Sequence, residues 1–125
     1  MLIFTSLSIN SADAKYASIV IDAKSGRVLH QTNADTRNYP ASLTKMMSLY
    51  ILFDAIKDNT LDLNSKLKAS RRAAHQPASR LGLRPGQSIS VHDAILAIVT
   101  KSANDVATVI GENISGSERS FALKM

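Results

Sequence analysis

The feature that most constrains the fold is an apolar segment at residues 41–57, the longest in the chain. Its apolar side chains lie nearly all round a helical wheel, which is typical of a helix buried on most of its surface rather than along one face. Pro40 and Ser42 mark its start, with Ser42 as the candidate N-cap, and Asp58-Asn59 mark its end. We therefore expect residues 41–57 to form the most buried helix of the molecule.

Two short strand-like runs precede this segment, at residues 16–21 and 28–31. The residues between them include types that are common in turns, and Gly26 can take the positive φ that a tight turn requires. The pattern predicts a β-hairpin, followed by a polar loop at residues 33–39.

Beyond residue 57 the pattern turns to loops and then to helices. Ser90 and Asp93 resemble a capping box, and the apolar residues after them recur at helical spacing. The predicted elements are a short helix near 70–74, a turn at 84–87, and helices over 90–100, over 105–113 and from 117 onward, with a break at 113–116.

The first fourteen residues, MLIFTSLSINSADA, have the features of an export signal. A short apolar run is followed by Ala12-Asp13-Ala14, a small-x-small cleavage pattern before Lys15. The run is too short for a membrane-spanning anchor, and a buried first strand is the alternative. We expect residues 1–14 to be a signal peptide.

The composition indicates a globular chain of one-domain length, with 45% apolar and 20% charged residues. The absence of cysteine excludes disulfides, thiolate metal sites and a cysteine nucleophile. The net charge of +5 comes from residues 57–84, which hold seven of the 15 basic residues and two of the 10 acidic ones. This basic segment contains no aromatic residue and no nucleic-acid-binding motif, so we expect a solvated surface and no nucleic-acid partner. Attraction to a polyanionic surface is the alternative.

The tetrapeptide Ser42-Leu43-Thr44-Lys45 is the candidate catalytic motif of the chain. Residues three apart share a helix face, so the amine of Lys45 can reach the hydroxyl of Ser42. The positive end of the helix dipole and apolar neighbours both disfavour a protonated lysine. A lysine nearer neutrality can take the serine's proton and make it a nucleophile. The alternative is an N-cap serine followed by a lysine that extends to solvent.

Sixty residues later, Ser102-Ala103-Asn104 offers a hydroxyl and a carboxamide in a loop between two predicted helices. Taken alone, both side chains are equally suited to capping helices. In combination with the first tetrapeptide, they match the S-x-x-K plus S-x-N pattern of penicillin-interacting serine enzymes.

The segment at residues 40–45, Pro-Ala-Ser-Leu-Thr-Lys, resembles the P-A-S-x-T-K signature of the serine-type D-alanyl-D-alanine carboxypeptidases. These are the low-molecular-mass penicillin-binding proteins, peptidase family S11. The resemblance extends over residues 15–125. Its other matching segments, in the family's order, are residues 19–29, 83–87, 101–107 and 116–118, with Phe121.

The resemblance implies a β-lactamase/transpeptidase-like fold of the α+β or α/β class. For residues 15–125 it implies the amino-terminal part of the catalytic domain, a β-hairpin plus a helical subdomain without the later sheet strands. The family carries a K-T-G or K-S-G element well downstream of S-x-N, and none follows Asn104. We therefore expect the chain to stop before that element. Ala103 also departs from the family's usual glycine.

The resemblance further implies the roles of four residues. Ser42 would be the acylated nucleophile and Lys45 its general base, Ser102 would relay a proton to the leaving group, and Asn104 would hold the substrate's amide. The substrate would be a peptidoglycan stem peptide ending in D-Ala-D-Ala, and β-lactams would inhibit. The reaction would take place in the periplasm or at the outer face of the bacterial cytoplasmic membrane.

The resemblance implies no cofactor or metal, and His30, His75 and His92 also lack the spacing of metal ligands. Two other functions remain as alternatives. One is a class A β-lactamase, which Pro40-Ala41 and Thr44 disfavour. The other is a catalytically inactive remnant that binds cell-wall material through the basic segment.

Overall fold

A computed structural model describes residues 16–125, and the chain divides after Tyr39 into two compact units. The expected signal peptide, residues 1–14, lies outside the described residues and stays a prediction. Within the described part, no helix is both long and apolar enough to cross a membrane.

The first unit contains the predicted β-hairpin. Strands β1 (Ser18–Ile21) and β2 (Val28–Thr32) pair antiparallel. The side chain of Asp22 closes the turn by accepting hydrogen bonds from the backbone N–H of Ser25 at 2.7 Å and from its hydroxyl at 2.6 Å. Lys24-Ser25-Gly26 has the letters of the family's K-S-G element, but it precedes Ser42 and forms this turn rather than a strand.

The second unit, Pro40–Met125, is a helical subdomain with one small antiparallel sheet. After a 3-10 turn at Ala41–Leu43, its elements are α1 (Thr44–Lys57), β3 (Lys66–Lys68), α2 (Arg71–Ala74), β4 (Ser88–Ser90), α3 (Val91–Lys101), α4 (Asn104–Ser115) and α5 (Glu118–Lys124). All the predicted helices are present. The two strands were missed because three residues are too few to show an alternating pattern.

Serine side chains cap three of these helices, as the sequence led us to expect for α3. The Oγ atom of Ser90 accepts a hydrogen bond from the backbone N–H of Asp93 and donates one to its carboxylate. Ser70 and Ser117 cap α2 and α5 by accepting hydrogen bonds from the backbone N–H groups of Ala73 and Ser120. Gly116, with φ of 76°, ends α4. The predicted break is therefore real, but α4 continues to Ser115.

The core of this unit is built around α4, which packs against α1, α2, α3, α5 and β3. Val106, Val109 and Ile110 on α4 are completely buried. The prediction that residues 41–57 form the most buried helix is therefore wrong, because α4 has neighbours on more sides.

Helix α1 is covered on only one face by the described residues. Leu52 is completely buried, whereas Met46, Tyr50 and Phe53 are 67%, 62% and 50% exposed. An apolar pattern all round a helix shows that its whole surface favours burial. It does not identify the residues that would cover each face, so the expectation of burial on most of the surface is not met within residues 16–125.

The start of α1 also differs from the prediction. Ser42 lies inside the 3-10 turn and makes no N-cap hydrogen bond, so its assignment as the N-cap is wrong. The backbone closes this end instead, with the N–H of Leu43 donating to the carbonyl of Pro40 at 3.0 Å. The hydroxyl of Ser42 is thereby left available for other contacts.

Two substitutions on opposite faces of α1, only two positions apart, test which face belongs to the core. In the 125-residue chain, we expect Leu52→Ala to lower the free energy of unfolding by about 2–5 kcal/mol, since it removes a fully buried side chain. Tyr50→Gln, at an exposed position, should change it by less than about 0.5 kcal/mol. Urea unfolding measures both, and equal losses would contradict the assignment of faces.

Candidate active site

The four residues singled out in the sequence lie together at the meeting point of two helix junctions. Ser42 is in the 3-10 turn and Lys45 is in the first turn of α1. Ser102 is the residue that ends α3, and Asn104 is the residue that begins α4. Packing of α1 against α3 and α4 therefore brings together side chains that are about 60 positions apart in the sequence.

A continuous set of hydrogen bonds connects the four side chains. The Nζ atom of Lys45 donates to the Oγ atom of Ser102 at 3.1 Å and to the Oδ1 atom of Asn104 at 2.6 Å. The hydroxyls of Ser102 and Ser42 are 3.0 Å apart and hydrogen-bonded. Hydroxyl hydrogens rotate, so either serine can act as the donor in this pair.

The connection between Lys45 and Ser42 differs from the sequence-based expectation. In the described residues, no direct hydrogen bond joins the amine of Lys45 to the hydroxyl of Ser42, and the path runs through Ser102. The amine is instead held by the two oxygen acceptors at the α3–α4 junction. Ser102 is therefore placed to receive a proton from one partner and pass it to the other.

Ser102 occupies a backbone conformation that normally favours glycine. Its φ is 52° and its ψ is 41°, in the left-handed region, which costs an ordinary residue about 1–2 kcal/mol. Glycine at this helix end would avoid the cost but would supply no hydroxyl. Strain of this kind is typical of functional sites, where the placement of a side chain matters more than local stability.

The environment of Lys45 lowers its proton affinity. The side chain is half-buried, and desolvation lowers the pKa of its amine from the ordinary value. In the neutral amine, an N–H group can donate to Asn104 while the lone pair accepts from the hydroxyl of Ser102 over the 3.1 Å contact. The lone pair is then placed to accept the proton of Ser102.

The carboxamide of Asn104 is fixed at both ends. Its Oδ1 atom accepts from Lys45, and its Nδ2 atom donates to the backbone carbonyl of Pro77 at 2.9 Å. The backbone N–H of Asn104 donates to the carbonyl of Ser79 at 2.7 Å. Sequence analysis did not find this role of residues 77–79, because backbone acceptors leave no signature in side-chain patterns.

Two cavities adjoin the hydrogen-bonded side chains. One of about 580 Å³ is lined by Ser42, Lys45 and Asn104 at one end and reaches Phe121 on α5. The other, of about 320 Å³, is lined by apolar side chains of α1 and α3 together with Ser42, Lys45 and Ser102. Both volumes are in the range that small ligands occupy.

The remaining candidate groups lie at the surface. His30, His75 and His92 are exposed, as are the seven basic residues of the segment 57–84. Arg72 pairs with Glu118 and thereby links α2 to α5. Within residues 16–125, no three histidine or carboxylate side chains are grouped as metal ligands would be. The basic segment is thus a solvated surface, as expected.

Comparison with known proteins gives the family. The model of the D-alanyl-D-alanine carboxypeptidase family matches residues 5–125. The chain belongs to that family. Among curated proteins, it is 32% identical over 109 residues to the D-alanyl-D-alanine carboxypeptidase DacF of Bacillus subtilis, with 87% of this chain and 28% of DacF covered.

Solved structures of penicillin-binding proteins have the same fold. Penicillin-binding protein 5 from Haemophilus influenzae aligns with a TM-score of 0.77 and 30% identity over 86% of this chain and 32% of its own. Penicillin-binding protein D2 from Listeria monocytogenes, solved with ampicillin bound, aligns with a TM-score of 0.71 and 29% identity over 86% and 44%. The expected transpeptidase-like fold is confirmed, and the chain spans less than half the length of each of these relatives.

The protonation of Lys45 can be measured directly. Because desolvation lowers the pKa of its amine, we expect the NMR signals of labelled Lys45 to titrate with a midpoint below that of a lysine in the unfolded chain. Lys45→Met identifies the signal by removing it. A midpoint at or above the unfolded-chain value would contradict the proposed environment.

Proposed function

We propose that the protein carrying this chain is a serine-type D-Ala-D-Ala carboxypeptidase that removes the terminal D-Ala from peptidoglycan stem peptides through an acyl-enzyme at Ser42. The observation that carries the proposal is the hydrogen-bonded series Ser42, Ser102 and Lys45, with Asn104 beside it, in a chain of this family.

In the first half of the reaction, Ser42 attacks the carbonyl carbon of the penultimate D-Ala. Its proton passes to Ser102, and the proton of Ser102 passes to the neutral amine of Lys45, over contacts of 3.0 and 3.1 Å. Lys45 is thus the general base, acting through Ser102. The lowered pKa of the Lys45 amine favours this role, since a fully solvated lysine is protonated near neutral pH.

Collapse of the tetrahedral intermediate releases D-Ala. The leaving nitrogen takes a proton from Ser102, which recovers one from the Lys45 ammonium, and the acyl group stays on Ser42. Water then attacks the ester carbonyl, and its proton passes through Ser102 to the amine of Lys45. When the second tetrahedral intermediate collapses, that proton returns through Ser102 to the oxygen of Ser42. The peptide leaves with a new carboxylate, and Ser42 regains its hydroxyl.

Asn104 is assigned to the substrate rather than to proton transfer. Its Nδ2 atom points to the Pro77 carbonyl and its Oδ1 atom to Lys45, so the carboxamide is oriented before any substrate arrives. We assign it a hydrogen bond to the amide of the bound stem peptide. The cavity of about 580 Å³ next to it has room for part of such a peptide.

The setting of the protein follows from its substrate. Peptidoglycan lies outside the cytoplasmic membrane, so we place the enzyme in the periplasm or on the outer face of that membrane. Residues 1–14 would act as the export signal, and residues 15–125 would form the amino-terminal part of the catalytic domain. β-Lactams would acylate Ser42, in keeping with the ampicillin-bound relative.

Release of D-Ala tests the proposed reaction. The protein, expressed from its complete reading frame, should release D-Ala from a synthetic peptide ending in D-Ala-D-Ala and not from one ending in D-Ala-L-Ala. We expect Ser42→Ala to abolish release and Ser102→Ala to slow it by about 10²–10⁴-fold, the usual contribution of a proton-transferring group.

One control variant makes this result interpretable. Ser90→Ala removes a hydroxyl of the same kind from the start of α3, at the opposite end of the helix from Ser102, and should leave release unchanged. Absence of release by the folded wild-type protein would contradict the proposal. Release by Ser42→Ala at the wild-type rate would do the same.

A further inference from the structure

Asp105, the residue after Asn104, is a completely buried carboxylate that the proposed reaction does not use. Its Oδ1 atom accepts hydrogen bonds from the backbone N–H groups of Leu81 and Val106, both at 2.9 Å. Its Oδ2 atom accepts from the N–H groups of Gly82 at 2.8 Å and Leu83 at 3.1 Å. Within residues 16–125, no lysine or arginine pairs with it.

The backbone therefore supplies all the compensation for this buried charge. Burial by itself raises the pKa of the Asp105 carboxyl, but hydrogen bonds from Leu81, Leu83, Gly82 and Val106 outweigh it, and the net pKa is below the ordinary value. The carboxylate thus stays ionised at neutral pH, and its four bonds are charge-assisted. Such bonds are worth more than neutral ones, so the backbone at residues 81–83 is firmly held.

Three consecutive N–H groups can converge on one carboxylate only because of the local backbone conformation. Gly82 has φ of 93°, which an ordinary residue adopts only with strain. A residue at positive φ can turn successive backbone N–H groups toward one anion, as in backbone nests. Among the loop residues, Gly82 is therefore the one whose substitution should most disturb the hydrogen bonds to Asp105.

The loop that Asp105 holds is also the loop that orients Asn104. Residues 77–83 contribute the Pro77 carbonyl that accepts from the Asn104 side chain and the Ser79 carbonyl that accepts from its backbone. The hydroxyl of Ser79 also donates to the carbonyl of Lys101 at 2.7 Å, just before Ser102. Both ends of the Ser102-Ala103-Asn104 tripeptide are thus bonded to this loop.

We propose that Asp105 is a positioning residue for acylation: its carboxylate anchors residues 77–83, and that loop sets the orientation of the Asn104 carboxamide and hence of the Lys45 amine bonded to it. Asp105 touches no reacting atom and acts through Asn104. The inference rests on the proposed function and adds to it a residue outside the S-x-x-K and S-x-N motifs.

The test measures acylation by a fluorescent penicillin, as a second-order rate constant, in the protein expressed from its complete reading frame. Asp105→Asn keeps the shape of the side chain but replaces one acceptor oxygen with an N–H₂ group, so at least one loop N–H loses its acceptor. We expect a fall of about tenfold or more, within the hundredfold that a 1 Å misplacement can cost. Gly82→Ala strains the loop from its other side and should lower the rate in the same direction.

A matched control separates positioning from general stability. Asn113, also on α4, ties another backbone segment to the helix, since its side chain bonds the N–H and the carbonyl of Lys68. Asn113→Ala should lower the melting temperature and leave the acylation rate within about twofold of wild type. A fall equal to that of Asp105→Asn would overturn the inference, because it would show that any loss of stability slows acylation.

A double-mutant cycle tests whether Asp105 acts through Asn104. In the background of Asn104→Ala, adding Asp105→Asn should change the acylation rate by less than about twofold, because residues of one network are not additive. Independent, multiplicative losses would overturn the inference. If Asp105→Asn does not fold, the same cycle with Gly82→Ala decides the question.

A readout that needs no activity distinguishes this inference from the proposed function. The NMR signals of the Asn104 carboxamide should shift in Asp105→Asn and stay in place in Asn113→Ala. Wild-type acylation with unchanged Asp105→Asn rates and signals would overturn the positioning role alone. A wild-type protein that penicillin does not acylate, with Asn104 signals that do not respond to Asp105→Asn, would overturn both.

Discussion

The hydrogen bonds of the Lys45 amine to Ser102 and Asn104 are the interaction on which the site depends. They join the start of α1 to the α3–α4 junction, two places that the sequence separates by 57 and 59 positions. Without them, the Ser102 hydroxyl bonded to Ser42 would have no base to which it could pass a proton. Burial of α4 makes the contact possible, because α4 fixes α1 and α3 relative to one another.

Much of the fold could be predicted because its signals are local. Capping at Ser90 and the turn around Gly26 each depend on a few neighbouring residues, and the structure confirms them. Strands β3 and β4 were missed because each has three residues and gains its stability from the other. The burial of α1 was overestimated because its apolar pattern indicates that the helix surface favours burial. The pattern does not show which part of the chain packs against that surface.

In the site too, features with a local sequence signal could be predicted, and features that depend on packing could not. Ser42, Lys45, Ser102 and Asn104 were predicted from motif spacing, and the structure brings their side chains together. The path from Ser42 to Lys45 through Ser102 could not be predicted, since it depends on packing between helices. Neither could the anchoring of residues 77–83 by Asp105, because its partners are backbone N–H groups that every sequence possesses.

The central claim is that Ser42 becomes acylated, and peptide mass spectrometry after incubation with a penicillin tests it most directly. Trypsin cleavage after Arg37 and Lys45 isolates residues 38–45, which contain Ser42 as the only serine. The account predicts that this peptide gains the mass of one penicillin molecule, and that Ser42→Ala prevents the gain. Addition of the penicillin to another peptide, with residues 38–45 unmodified, would contradict it.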